Sequence, residues 1–309
     1  MKELWTEKYR PNTLKDYVVR DQRQRDQIEG WIKSGAIPHL LFSGAPGVGK
    51  TTLAKILFHE LKVESYDILE INASRENSVD TVRDKINNFV QIMPFGAYKY
   101  VLLDEADYIT PNGQAALRGV METYHTSARF ILTCNYPNRV IPALHSRCQG
   151  FHIETIDKNE FTARVAQILI EEKVTPELDI LDTYVKATYP DLRKCINMVQ
   201  QNSRDGQLHA PDKADKGQQD YRLEMVDLFK KGKILEARKL VCSQARPEEV
   251  EDIFRWLYDN LDLINKDDDQ QDRAILAIKQ GLVDHSFVAD PEINLAATMI
   301  KLARVADGK

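Results

Sequence analysis

The chain has 309 residues, with 42 basic side chains against 47 acidic ones and a net charge of −5. At 43% hydrophobic and 29% charged it has the balance of an ordinary globular protein, and its length predicts two or three domains. The charge excludes a globally basic nucleic-acid binder, though not a local basic lining. Cys134, Cys148, Cys195 and Cys242 have neither CxxC nor zinc-knuckle spacing. Polar and charged residues follow Met1, so no signal peptide is expected, and no segment approaches the roughly 20 apolar residues of a membrane helix. The expectation is a soluble cytoplasmic protein with reduced thiols and no membrane partner.

Short apolar runs recur with helical segments between them: His39–Ser43, Ile68–Asn72, Tyr100–Asp104, Arg129–Thr133 and Gly150–Glu154. Continuous apolar strands alternating with helices predict a parallel sheet covered on both faces. After Glu154 the strand signals stop. Asp157 with Glu160 suits a capping box, followed by a stripe of Phe161, Val165, Ile168 and Leu169. Leu178, Leu181 and Val185 predict a second helix, and Leu192, Ile196 and Val199 a third. Residues 203–220 are polar, with two Gly and one Pro, and read as a linker. Leu223, Val226 and Phe229, then Ile253, Leu257 and Leu261, then Ala274–Gly281 and Ile293–Ala303 continue as helices. The acidic run Asp267–Asp269 reads as a solvated loop.

Between the first apolar run and a helix expected from Thr52 to Leu61 stands Gly44-Ala45-Pro46-Gly47-Val48-Gly49-Lys50-Thr51, a full match to GxxxxGK[ST]. Glycines let backbone N–H groups curl around phosphate oxygens, and a helix N-terminus adds positive potential. Lys50 has the reach for the β- and γ-phosphates of ATP, and Thr51 offers a hydroxyl to Mg2+; Thr52 continues the cradle. Asp104 ends a strand, where a carboxylate holds magnesium, and Glu105 follows as general base for the attacking water. Either acid alone would suit a strand exit. Beside a complete phosphate loop the pair predicts an ATP hydrolase.

Asp104-Glu105-Ala106-Asp107, Asn135, Ser146-Arg147-Cys148 and the opening Trp5-Thr6-Glu7-Lys8-Tyr9-Arg10-Pro11 together resemble the AAA+ sliding-clamp loader ATPases of the replication factor C small-subunit type. Residues 116–124 look most like the large clamp-loader subunit of T4-type bacteriophages, which would place the chain in a host-cell cytoplasm. The resemblance implies an α/β P-loop AAA+ fold: a RecA-like parallel sheet with helices on both faces, a small helical lid and an all-helical C-terminal collar. The corresponding bounds are 1–155 for the ATPase domain, 156–204 for the lid, 205–221 for the linker and 222–309 for the collar.

The same resemblance implies roles. Asn135 would be a first sensor of the γ-phosphate and Arg193 a second, reaching from the lid. Arg147 would be an arginine finger acting on a neighbour's ATP. Tyr9, Arg10, Pro11, Val18 and Val19 would line the adenine pocket. Ser78, Arg83, Thr110, Asn112 and Gln114 would meet the backbone of primer–template DNA without reading bases; taken singly they suit ordinary N-capping equally well. The implied partners are a sliding clamp, primer–template DNA, and copies of the chain with a second loader subunit in a pentamer-like ring. Gln91–Ala97 is a candidate clamp contact. The rival expectations are another AAA+ DNA motor of the branch-migration helicase type, and a non-hydrolysing scaffold subunit.

Overall fold

The computed structural model describes residues 3–76, 78–153, 156–210, 221–245, 249–264, 267–285 and 287–306, without the side chains of 81–83. Contacts divide the chain into two compact units. One holds residues 1–168 and 190–200; the other holds 169–189 and 201–309.

The first unit opens with α1 (Trp5–Lys8) and α2 (Gln22–Ser34), then β1 (Leu40–Gly44), α3 (Lys50–Glu60) and β2 (Ile68–Asn72). A helical run with a π-type stretch at Thr81–Ile86 ends as α4 (Asn87–Gln91). Next come β3 (Lys99–Asp104), α5 (Pro111–Thr123), β4 (Ala128–Cys134), α6 (Pro142–His145), β5 (Gln149–Ile153) and α7 (Lys158–Glu171). The strands form one parallel sheet in the order β2-β3-β4-β1-β5. Strand alternation sends Leu41, Ile71, Val101, Leu103, Phe130 and Leu132 into one core with α5 residues Leu117 and Met121. The opposite face carries Phe42, whose ring meets Phe151 at 5.8 Å, and Tyr100, which meets Phe58 of α3 at 5.6 Å. Both faces are therefore covered; the inner strands β1, β3 and β4 are largely buried and apolar, while the edge strands β2 and β5 also carry exposed polar residues.

All five expected strands are present within a residue or two of their expected bounds, and α3 begins at Lys50 rather than Thr52. Glu154, expected to close the last strand, lies outside the described residues. Asp157 caps α7 by accepting from the Glu160 N–H at 2.8 Å, and Phe161, Val165, Ile168 and Leu169 are all buried. The last helix of this unit is α9 (Leu192–Gln201), reached after α8 (Leu178–Thr188). Gln200 of α9 accepts from the Trp5 N–H at 3.0 Å and donates to the Glu3 carbonyl at 2.8 Å, tying the opening segment to that helix.

The second unit contains α8, a hairpin of β6 (Ser203–Arg204) and β7 (Gln207–Leu208), α10 (Tyr221–Lys230), α11 (Ile234–Gln244), α12 (Val250–Asp259), α13 (Asp268–His285) and α14 (Pro291–Ala306). Its core includes Tyr184, Phe229, Phe254, Trp256 and Met299. The Trp256 indole donates to the Lys186 carbonyl at 2.6 Å.

Three expectations need correction here. Strands do not stop after the fifth: residues 203–208, read as linker, form an antiparallel hairpin around Asp205-Gly206, both at positive φ. Leu178 is 78% exposed, and α8 buries Leu181, Tyr184 and Val185 instead. Asp268 and Asp269 open α13 rather than lying in a loop, and Asp267 caps it, its carboxylate accepting from the Gln270 N–H at 3.2 Å. Helix α11 carried no sequence expectation. The remainder of the expected linker, 211–220, lies outside the described residues.

Candidate nucleotide site

The phosphate loop leaves β1, an inner strand, with the central β4 on one side, β5 on the other and β3 one strand beyond β4. Asp104 at the end of β3 therefore faces α3 across β4, and a β4 side chain fills the space. The Thr51 hydroxyl donates to Asp104 Oδ1 at 2.6 Å. The Thr133 hydroxyl donates to the same oxygen at 2.6 Å and accepts from the Glu105 N–H at 3.0 Å. Thr133 is thus a site residue that sequence reasoning missed. Its only signal was a small polar residue near the end of an otherwise apolar strand.

Glu105 sits at φ 59 and ψ 44, the left-handed region that costs a non-glycine residue about 1–3 kcal/mol. The turn ends β3 abruptly, directly after Asp104.

Lys50 is buried at the start of α3. Its ammonium donates to the Gly44 and Ala45 carbonyls at 2.8 and 2.7 Å and to Asn135 Oδ1 at 2.8 Å. Burial pushes its pKa down to about 8, with Asp104 and Asp107 pulling the other way. Asn135 is held in turn by Asp107: its own N–H and that of Tyr136 donate to Asp107 Oδ2 at 3.2 and 3.0 Å. The structure thus brings together Lys50, Thr51, Asp104, Glu105 and Asn135.

The loop also has close neighbours outside the motif. Gly47 is at φ +75, and a Cβ there would stand 1.8 Å from Asp191 Oδ1. Gly49 is at φ +90, and its Cβ would meet the Tyr17 ring at 2.9 Å. Asp191 caps α9 by accepting from the Lys194 N–H at 2.9 Å, which places Arg193 beside the loop. The cleft next to Gly47, Val48, Gly49 and Thr52 is lined by Tyr9, Arg10, Pro11, Tyr17, Val18 and Arg193. Its walls are apolar and aromatic with arginines at the rim, which suits a base and its phosphates. Val19 is buried and does not line the cleft; its carbonyl accepts from the Asp157 N–H at 3.2 Å.

Arg147 follows α6 with its side chain 32% exposed and paired with Glu122 of α5. Among the residues expected to meet DNA, Ser78, Thr110 and Asn112 are exposed. Thr110 also caps α5, accepting from the Gly113 N–H at 3.2 Å. The Arg83 side chain lies outside what is described. Gln114 corrects its expectation. It is 1% exposed, its amide donates to the Ile109 and Arg139 carbonyls and accepts from the Ile141 N–H, so it is a core strut with no donor left for a phosphate.

Among the described residues no cluster of His, Cys, Asp or Glu stands ready to hold a metal by itself, and no helix is long and apolar enough to cross a membrane. Thr51 and Asp104 converge on one point, a donor set that fits magnesium brought in with nucleotide phosphates.

Comparison with known proteins agrees with this geometry. Residues 40–155 match the model of the ATPase family associated with various cellular activities (AAA). The chain is 41% identical to the replication factor C small subunit of Methanocella arvoryzae over 64% of its own length and 62% of that protein's. With the small subunit of Sulfurisphaera tokodaii it is 37% identical over 97% of its own length and 95% of the relative's. In fold it resembles the Thermotoga maritima RuvB Holliday junction branch migration motor, at a TM-score of 0.55 and 15% identity over 72% of this chain and 79% of that one. At that identity the likeness concerns the fold alone. The chain belongs to the replication factor C small subunit family of AAA ATPases.

Proposed function

We propose that this chain is an ATPase subunit of a DNA polymerase sliding-clamp loader, in which ATP binding assembles and opens the machine and hydrolysis releases the closed clamp on DNA. The observation that carries the hydrolytic half is the convergence of Lys50, Asn135, Thr51, Asp104 and Glu105 on one loop. In this reading Lys50 and the loop N–H groups hold the phosphates, and Thr51 with Asp104 holds magnesium, which supplies charge neutralisation when bound. Glu105 polarises the attacking water, while Asn135 and Arg193 report the γ-phosphate. Asp107 keeps Asn135 oriented.

Arg147 is the group that a neighbouring subunit receives. It is cationic and about a third exposed, and its partners Ala143, Ser146 and Glu122 belong to α6, the residue after it and α5 rather than to the phosphate loop, which suits a trans-acting residue. Exposed Ser78, Thr110 and Asn112 suit backbone contacts to primer–template DNA. Ile92, Met93 and Phe95 are 60%, 86% and 78% exposed, a compact apolar surface that suits the clamp. Residues 156–204 act as lid and 222–309 as collar. The collar brings copies of this chain and a second subunit type into a ring, and Leu276 and Ile293, 67% and 68% exposed, offer it apolar surface.

The discriminating experiment is phosphate release by the chain assembled with its clamp, with and without primed DNA. Stimulation by both is expected. Turnover that ignores clamp and DNA would favour another motor, and no turnover would favour a scaffold.

A further inference from the structure

Glu122 occupies the last turn of α5, a helix with no basic residue in that turn. A carboxylate there opposes the helix dipole and is unfavourable for the helix itself. It is instead neutralised from outside. One oxygen, Oε1, pairs with the Arg147 guanidinium and lies 3.7 Å from Arg118 Nε. The opposite edge of the Arg147 guanidinium is fixed separately: Nη1 donates to the Ala143 carbonyl at 2.7 Å and to Ser146 Oγ at 3.2 Å. Two elements distant in sequence, the end of α5 and α6 with its C-cap Ser146, thus hold the two terminal nitrogens of one planar group. Arg147 remains 32% exposed while so held.

We infer that Glu122 is a positioning residue for Arg147, setting the direction in which the guanidinium leaves the subunit surface. The inference rests on the reading of Arg147 as a group that acts on a neighbour's ATP. An unrestrained arginine carries large rotamer freedom that has to be lost before it meets a phosphate. Held on both edges, the fork is already oriented. Exposed pairs are individually weak, so the γ-phosphate can draw the guanidinium away from Glu122 without a large barrier. Arg118, sharing the same oxygen, keeps the carboxylate from being left unpaired when that happens.

The test compares ATP turnover by the assembled complex, with clamp and primed DNA, for Glu122→Ala, Glu122→Gln, Arg147→Ala and the double variant Glu122→Ala/Arg147→Ala. Glu122→Ala should lower kcat about three- to tenfold with KM for ATP nearly unchanged, the signature of an interaction used in the transition state. Glu122→Gln keeps an acceptor at the same reach and should fall between it and the native chain. In the Arg147→Ala background the Glu122 change should have no further effect. A native rate for Glu122→Ala beside an impaired Arg147→Ala would overturn the inference and leave the role of Arg147 standing. An equal further loss in the double variant would overturn it in favour of simple helix support. A native rate for Arg147→Ala would remove the underlying reading itself. Glu122 is 45% exposed, so all four chains should fold, and thermal melting checks this.

Discussion

Asp191 Oδ1 stands 1.8 Å from the point that a Cβ on Gly47 would occupy, so the phosphate loop and the cap of α9 share one space. The helix that carries Arg193 is seated directly on the loop proposed to hold the phosphates. Gly47→Ala brings both a clash and a strained φ of +75. It should abolish detectable nucleotide binding and lower the melting temperature. Asp191→Ala removes the clash but also the cap, at a cost of about 1 kcal/mol. Combining the two should restore part of the binding lost in Gly47→Ala, measured by titration with a fluorescent nucleotide. No restoration would show that backbone strain alone decides the outcome.

Lys50 gives a pH prediction. Its folded-state pKa of about 8 lies below the ordinary lysine value of 10.5. Between these values the folded, nucleotide-free chain has lost a proton that the unfolded chain keeps, so this group makes stability rise with pH across that window. Phosphate binding needs the charged ammonium, so affinity moves the other way. Nucleotide affinity should be level below about pH 7, fall about twofold by pH 8, and above that weaken by up to about tenfold per pH unit. Calorimetry from about pH 6.5 to about pH 9.5 checks it; a flat profile would contradict the burial argument.

Glu105 combines a left-handed backbone with a free-standing carboxylate role. Glu105→Gln keeps the shape and hydrogen bonding, and should leave ATP affinity within about threefold while lowering turnover about 10²–10⁴-fold. Glu105→Gly should relieve the backbone and raise the melting temperature while losing turnover equally, as expected where strain is kept for function. A Glu105→Gln chain that turns over normally would assign the base to another group.

The exposed loop Ile92–Phe95 rests on a buried ion pair. Lys99 Nζ lies 2.8 Å from Asp67 Oδ1, and the two side chains are 3% and 1% exposed. The same carboxylate accepts from the Phe95 and Gly96 N–H groups at 3.2 and 2.8 Å. Asp67→Ala strands a buried cation and should cost about 3–5 kcal/mol in urea unfolding. Met93→Ala and Phe95→Ala should instead leave stability and ATP affinity intact and weaken clamp binding at least tenfold. Unchanged clamp affinity would move the docking surface elsewhere.

What could be read from the chain was whatever is encoded locally. The inner strands β1, β3 and β4 are mostly apolar runs, the edge strands β2 and β5 keep enough apolar residues to stand out, and the loop motif carries its own glycines and its lysine. What escaped was non-local or cryptic. Thr133 matters because β4 lies between β1 and β3, a sheet order that no single segment states. Asp191 matters because α9 comes back onto Gly47. Gln114 looked like an exposed helix-start residue, yet three backbone partners from two other segments draw it inside. The hairpin at 203–208 is too short and polar to stand out against a linker, and Leu178 falls on the helical stripe by spacing while the helix rotates it into solvent.

The proposed division of catalysis between one subunit's Glu105 and the next subunit's Arg147 can be probed most directly by mixing Glu105→Gln and Arg147→Ala chains, each able to bind ATP but neither hydrolysing it well when assembled alone. At some interfaces an intact Glu105 then faces an intact Arg147, and phosphate release should reappear well above the sum of the two separate preparations. If the mixed assemblies form, by mass measurement, yet release phosphate no faster than that sum, hydrolysis does not cross the subunit boundary.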